Sequence, residues 1–251
     1  MGKTLDKNMK KKTETILKKW LEPRQLEVLR LWSNKFGSTY RKMMYPYGRF
    51  IKTYLNMYKN SSKVNRRLEI GPGIERISGF ETVNIVWGRD VDYVADASRR
   101  LPFSDDTYEL IYASHILEHI PWYSLQSSIE EWVRVVSSGG CLEVWVPNGL
   151  LIAKTFVNVE EGRSSDIHMD GWYKFNKDRD PCLWANGRIF SYGDGTGKKN
   201  DPNWHMTLFS PRFLRKVLEE SGLINLELLE RTEVRGHDHG WINLGYRGYK
   251  P

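Results

Sequence analysis

Arg67-Leu-Glu-Ile-Gly-Pro-Gly73 runs a short apolar strand straight into a glycine turn, and no other part of the 251-residue chain constrains the fold as strongly. Leu68 and Ile70 flank Glu69 on the strand. Gly71 and Gly73 lack a Cβ, so the backbone can turn sharply and a ligand can lie against it. A dinucleotide fingerprint would need a third glycine at position 76, where this chain has Arg76. The turn therefore suits a ligand that does not ask for close helix–strand packing beside a pyrophosphate.

Around this turn the chain alternates strand and helix in the manner of a parallel sheet. Strands are expected at 67–70, about 82–86, about 92–95, 110–113 and 142–146. Only about nine residues separate Gly73 from the second strand, too few for a full helix. A helix over about 124–137 carries Leu125, Ile129, Trp132, Val133 and Val136 on one face and is expected to stop at Gly139-Gly140. Residues 1–63 read as an amphipathic helical extension, with the aromatic stretch 40–58 a candidate lid. From 148 to 209 the periodicity fails, and a loop of that length inside a domain is usually functional or mobile. Ser210-Pro211 then opens a helix, with Ser as N-cap and Pro in the first turn. Ile224–Leu229 and Trp241–Tyr246 form a closing hairpin.

The sequence blocks follow in a recognisable order: the glycine turn, Val91-Asp-Tyr-Val-Ala-Asp96, Leu101-Pro-Phe103, Tyr108 to His115, Leu117-Glu-His119 and Gly139 to Asn148. Over roughly 66–148 the chain resembles the class I S-adenosylmethionine-dependent methyltransferases, in particular those of polysaccharide and glycan biosynthesis. The resemblance implies an α/β Rossmann-like sheet, mostly parallel with its last strand antiparallel. An N-terminal helical extension or lid (1–63) would precede a methyltransferase domain (64–251) with an irregular insertion at 148–209. It implies S-adenosylmethionine as cofactor, held by Glu69, Gly71 and Gly73 of the first motif and by Asp96 and Ala97 at the adenine. Ser114 and His115 would line the pocket at the end of strand four. The ribose position falls on Asn84 in place of the usual carboxylate, and its amide can donate as well as accept.

Methyl transfer to an alcohol is helped by a base near the hydroxyl, and histidine suits that role near neutral pH. The candidates are His205, just ahead of the last helix, then His168 with Asp166 or Asp170 to orient it, then His119. Ten tryptophans are many for this length, and Trp172, Trp184 and Trp204 fall in the insertion. Flat apolar faces beside Asp, Asn and His suit sugars, so the expected acceptor is a sugar hydroxyl of a glycan or activated sugar. Another small molecule, a phosphate-type acceptor, or a fold-retaining protein that binds without catalysis are the alternatives.

His115-Ile-Leu-Glu-His119 fits an inverted zinc-peptidase pattern. That chemistry needs both histidines on one helix, whereas His115 ends a strand and Pro121 follows, so no metal site is expected. His237-Asp-His239 reads as a polar turn. The two cysteines, Cys141 and Cys182, make neither a disulfide framework nor a Cys-x-x-Cys site. The net charge of +7 is concentrated in lysines among the first twenty residues, read as a solvated face, and no nucleic-acid module is recognisable. No apolar run approaches the ~20 residues of a membrane span, and a cytoplasmic location is expected.

Overall fold

The computed structural model describes residues 39–73, 76–164, 176, 178–190 and 204–251. The chain divides into two compact units, Met1–Tyr47 and Gly48–Pro251. In the first, residues 39–47 are helical. The basic run, the helices expected before residue 39, His168 with its aspartates, Trp172 and the Gly193–Gly197 stretch lie outside the described residues.

The second unit is built on a seven-stranded sheet of order β3-β2-β1-β4-β5-β7-β6. Its strands are β1 (Arg67–Ile70), β2 (Glu81–Asn84), β3 (Tyr93–Val94), β4 (Tyr108–Ser114), β5 (Val136–Pro147), β6 (Ile224–Leu229) and β7 (Asn243–Tyr249). The strands from β3 across to β5 pair in parallel, and β7 runs antiparallel to both β5 and β6. Parallel central strands are covered on both faces, so they read as nearly unbroken apolar runs. Leu68, Val83, Ile111, Leu142 and Val144 are all fully buried.

One face is covered by α2 (Leu125–Val135) and α5 (Pro211–Glu220). From α2, Leu125, Ile129, Trp132 and Val133 enter the main core, and Trp132 donates its indole N–H to Ala97 C=O at 2.8 Å. Ser210 caps α5 by accepting from Phe213 N–H, with Pro211 following, as its sequence implies. The other face carries Phe80, Tyr112, Trp145 and Leu229, with Ile77 and Val234 against them. Here the short β1–β2 connection and the turn before β7 supply cover. Glu143 of β5 is buried on that face and neutralised by Arg235 and Arg247 at 2.9 and 3.1 Å.

Helix α1 (Thr53–Asn60) docks on the sheet edge. Thr53 Oγ1 accepts from Val94 N–H at 2.9 Å, and Asn60 donates to the Tyr93 hydroxyl at 2.8 Å. This part of the 40–58 stretch covers the edge strand β3.

Two expectations are corrected. Helix α2 stops at Val135 rather than at Gly139-Gly140, because Val136 already pairs with Tyr108 in the sheet. Gly139 instead makes a left-handed bend (φ +75°) within β5. The segment 148–209 is not irregular throughout: it contains α3 (Gly149–Glu160) and α4 (Pro181–Phe190). Ile152 of α3 and Trp184 of α4 pack with Ile242, and Trp184 stacks on Trp241 at 6.1 Å. Trp184 is thus a core residue and not an exposed platform.

Candidate active site

The carboxyl ends of β1, β2, β3 and β4 share one rim, and the residues expected at the cofactor stand along it. Glu69 is buried, and its carboxylate accepts from Ile77 N–H at 2.8 Å, which braces the loop after β1. Burial pushes the Glu69 carboxyl above its ordinary range, although Ile77 N–H and Arg76 oppose the shift. Gly71 is left-handed (φ +70°) and donates its N–H to Val83 C=O at 2.8 Å. A Cβ there would press on the Ile116 side chain, and the left-handed backbone would strain any residue but glycine. A Cβ on Gly73 meets no described atom within 4 Å, and Gly73 marks the open side of the turn.

Asn84 ends β2 with its amide half-buried. Asp96 follows β3, where its carboxylate accepts from Ser98 N–H at 3.0 Å and faces Arg99 at 3.3 Å. Ala97 packs on the main core. Ser114 closes β4. These donors and acceptors fit a ligand with a ribose, an amino-substituted purine and a charged amino-acid end: an amide for hydroxyls, a carboxylate for an amine, and bare backbone at Gly73.

His115 is placed differently from a simple pocket lining. It is left-handed (φ +55°) and buried, and its backbone N–H donates to Trp145 C=O at 2.8 Å. Its Nε2 donates to Asn243 Oδ1 at 2.9 Å, and its Nδ1 faces Glu118 Oε1 at 3.3 Å. Asn243 is fixed in that orientation because its amide nitrogen donates to Asp238 at 2.9 Å. The His115 ring stacks on His239 with centroids 3.7 Å apart.

Beyond β4 the chain makes a tight turn at Leu117–His119. The strap 204–207 is tied across it: Met206 and Thr207 N–H donate to Glu118 C=O at 2.7 and 3.2 Å, and the Thr207 hydroxyl donates to Ile120 C=O at 2.7 Å. His119 Nδ1–H donates to Trp204 C=O at 3.1 Å. The strap brings His205 to His119, with ring centroids 5.0 Å apart. The fold thus brings together His119 and His205, two of the three histidines named as candidate bases.

At the centre lies Glu118, 1% exposed. All five described histidines connect to it, directly or ring to ring: His115, His119, His205, His239 and His237. Burial keeps His205 neutral, lowering its value to about 4 against the pull of Glu118, and lowers His239 to about 3. Burial alone would raise Glu118, but His115, with His119 and His205 behind it, holds it below its ordinary range. Glu118, His239 and Asn243 were not assigned roles from sequence. The one available signal was a carboxylate beside two histidines just past a strand end.

Residues 75–144 match the family model described as a methyltransferase domain. No curated protein matches the chain. Among solved structures it is similar to an S-adenosylmethionine-dependent methyltransferase from Thermotoga maritima (14% identity, 86% of this chain and 97% of that one, TM-score 0.41). It is also similar to one from Archaeoglobus fulgidus (16% identity, 80% and 93%, TM-score 0.41). Human N-acetylserotonin methyltransferase is a third (10% identity, 74% and 47%, TM-score 0.40), about half of whose length this chain spans. Likenesses this remote say nothing of the acceptor. The matched segment is that of a methyltransferase domain, and it lies within a Rossmann-like, mostly parallel sheet whose last strand is antiparallel. No described helix is long and apolar enough to cross a membrane.

Proposed function

We propose that the chain is an O-methyltransferase acting on a sugar hydroxyl of a glycan or activated sugar, with His205 taking up the hydroxyl proton. The observation that carries this reading is the Glu118–His119–His205 constellation beside the carboxyl end of β4, with Glu118 buried and both histidines half-buried, joined by the 204–207 strap. A neutral imidazole held by backbone hydrogen bonds is oriented and able to accept a proton. Glu118 lies close enough to stabilise the imidazolium that results. Glu69, Gly71, Gly73, Asn84, Asp96, Ala97 and Ser114 would hold S-adenosylmethionine along the rim, and the bound cofactor supplies an electrophilic methyl group. Positioning then contributes much of the acceleration, since the reacting oxygen must be held in line.

Sugar recognition is supported by Trp122 and Tyr123, which are 68% and 73% exposed three and four residues beyond His119. Their rings meet edge to face at 5.6 Å and offer flat apolar surfaces just after the turn that carries His119. The test is calorimetric titration with S-adenosylhomocysteine, followed by an acceptor screen with radiolabelled S-adenosylmethionine. His205→Ala should retain S-adenosylhomocysteine binding and lower kcat by about 10²–10⁴-fold, the usual contribution of general base catalysis. Unchanged turnover would remove His205 from the reaction, and methylation confined to non-sugar acceptors would overturn the substrate class.

A further inference from the structure

We infer that Glu118, His119 and His205 form a binding site for a divalent transition cation of the zinc, cobalt or manganese kind. One ligand atom from each lies within 4.8 Å of the others. The ligand atoms of a tetrahedral zinc stand about 3.4 Å apart, given metal–ligand bonds of about 2.0–2.1 Å. The side chains therefore need to close by little more than 1 Å. Two imidazoles and one carboxylate form a mixed N/N/O set, which favours transition cations over magnesium, whose preference is for oxygen.

Three features of the site point to a cation in addition to the cluster itself. First, both carboxylate oxygens of Glu118 are buried without a hydrogen bond, although His115 Nδ1 faces Oε1 from 3.3 Å. A buried carboxylate left this way is costly, and a cation is a partner that would offset the cost. Second, each imidazole is anchored through one nitrogen to a backbone carbonyl: His119 Nδ1–H to Trp204 at 3.1 Å, and His205 to Arg188. Backbone carbonyls behind the imidazoles orient the rings and set their tautomers, the kind of support that metal-bound histidines commonly have. Third, His115 stands behind Glu118 and is itself held by Asn243, so the carboxylate has a supporting shell of its own. Ligands come from a turn and from a strap 86 positions later, which the fold joins through the two N–H bonds to Glu118 C=O.

This inference deepens the proposed O-methylation and rests on it only for the cation's role. A cation held there would lower the pKa of a hydroxyl bound to it, so that the proton could pass to solvent. In the cation-bound chain His205 would be a ligand, and the activation of the hydroxyl assigned above to its imidazole would fall to the cation; the cation-free chain would keep His205 as the base.

The experiment uses the full chain, freed of any affinity tag and treated with EDTA, titrated with Co²⁺ by visible absorption and with Zn²⁺ by calorimetry. One Co²⁺ per chain, with visible bands of a nitrogen-containing site, is expected. Glu118→Gln and His205→Ala should each weaken binding by at least about tenfold, with circular dichroism verifying the fold and His237→Ala as a neighbouring control that binds normally. No Co²⁺ binding by folded wild type would overturn the inference, as would equal affinity in wild type and both ligand variants. S-adenosylhomocysteine binding and acceptor turnover are measured with and without EDTA on the same samples. Turnover indifferent to EDTA in a chain that binds no cation would sink the metal site alone. Cation binding without methylation of any hydroxyl acceptor would sink the O-methylation reading and leave the site standing.

Discussion

Arg66 and Glu81 stand at the amino-terminal ends of β1 and β2, at the opposite rim from the site, and they lock those strands in register. The guanidinium donates to both carboxylate oxygens at 2.9 Å and reaches the Tyr108 hydroxyl at 3.1 Å, while the Tyr93 hydroxyl also donates to Glu81. Burial works to raise the Glu81 carboxyl, but Arg66 and Tyr93 outweigh it and hold it below its ordinary range. A carboxyl lowered in the folded state contributes stability above its unfolded value, about 4.3, and loses it as pH falls through the folded value. Glu81→Gln leaves Arg66 buried without its charge partner, so a loss of about 3–5 kcal/mol at pH 7 is expected in urea unfolding. The variant's stability should also change less than wild type's below about pH 5. Parallel curves for the two proteins on the acid side would show that this pair does not govern the dependence. None of this network was legible in the sequence, because its four members are joined only by the pairing of β1 with β2 and β4 and of β2 with β3. The same holds at the site: His119 and His205 were recognisable singly, but Glu118 acquires its meaning only when the strap buries it. Spacing rules out a helical zinc motif at His115–His119, yet it is silent about a ligand arriving from residue 205.

At the scale of elements, the strands were legible because each is a short apolar run that ends in a turn, and α5 because its cap residues are explicit. The helices α3 and α4 were missed for a physical reason. Gly149-Leu-Leu-Ile-Ala has too little polar contrast to show a helical period, and α4 follows residues with no apolar stripe. The end of α2 was misplaced because tertiary pairing of Val136 with Tyr108 overrides the glycine stop signal. The contact between β5 and β7 is a further feature that only the register reveals. Trp145 lies opposite Gly245, and a Cβ on Gly245 would fall 2.5 Å from the Trp145 ring, which is 1% exposed. The indole occupies the space a side chain would need. Gly245→Ala should therefore cost about 1–3 kcal/mol through overpacking, read as a fall of roughly 2–10 °C in Tm. An unchanged Tm would mean that β7 can shift away from Trp145 without loss.

For the whole molecule, the parallel strands gather one end of β1, β2, β3 and β4 into a single rim, so a ligand bound there should stabilise the fold it spans. Mass action sets the size of the effect: S-adenosylhomocysteine at 100 times its Kd adds about 2.7 kcal/mol, or roughly 5–10 °C in Tm for a domain of this size. The two glycines of the turn then separate fold from ligand. Gly71 is left-handed and crowded by Ile116, so Gly71→Ala should lower Tm without ligand by straining the turn itself. Gly73 is unstrained, and its Cβ would meet no described atom within 4 Å, so Gly73→Ala should leave the unliganded Tm unchanged. If the cofactor lies against the open side of the turn, bulk at Gly73 takes up its space, and the larger Gly73→Val should abolish the ligand-induced rise while the fold persists. A full rise in Gly73→Val would move the cofactor off the Gly73 side of the turn. Loss of the rise in Gly71→Ala alone would then mean that this loop acts on the cofactor only through its own conformation.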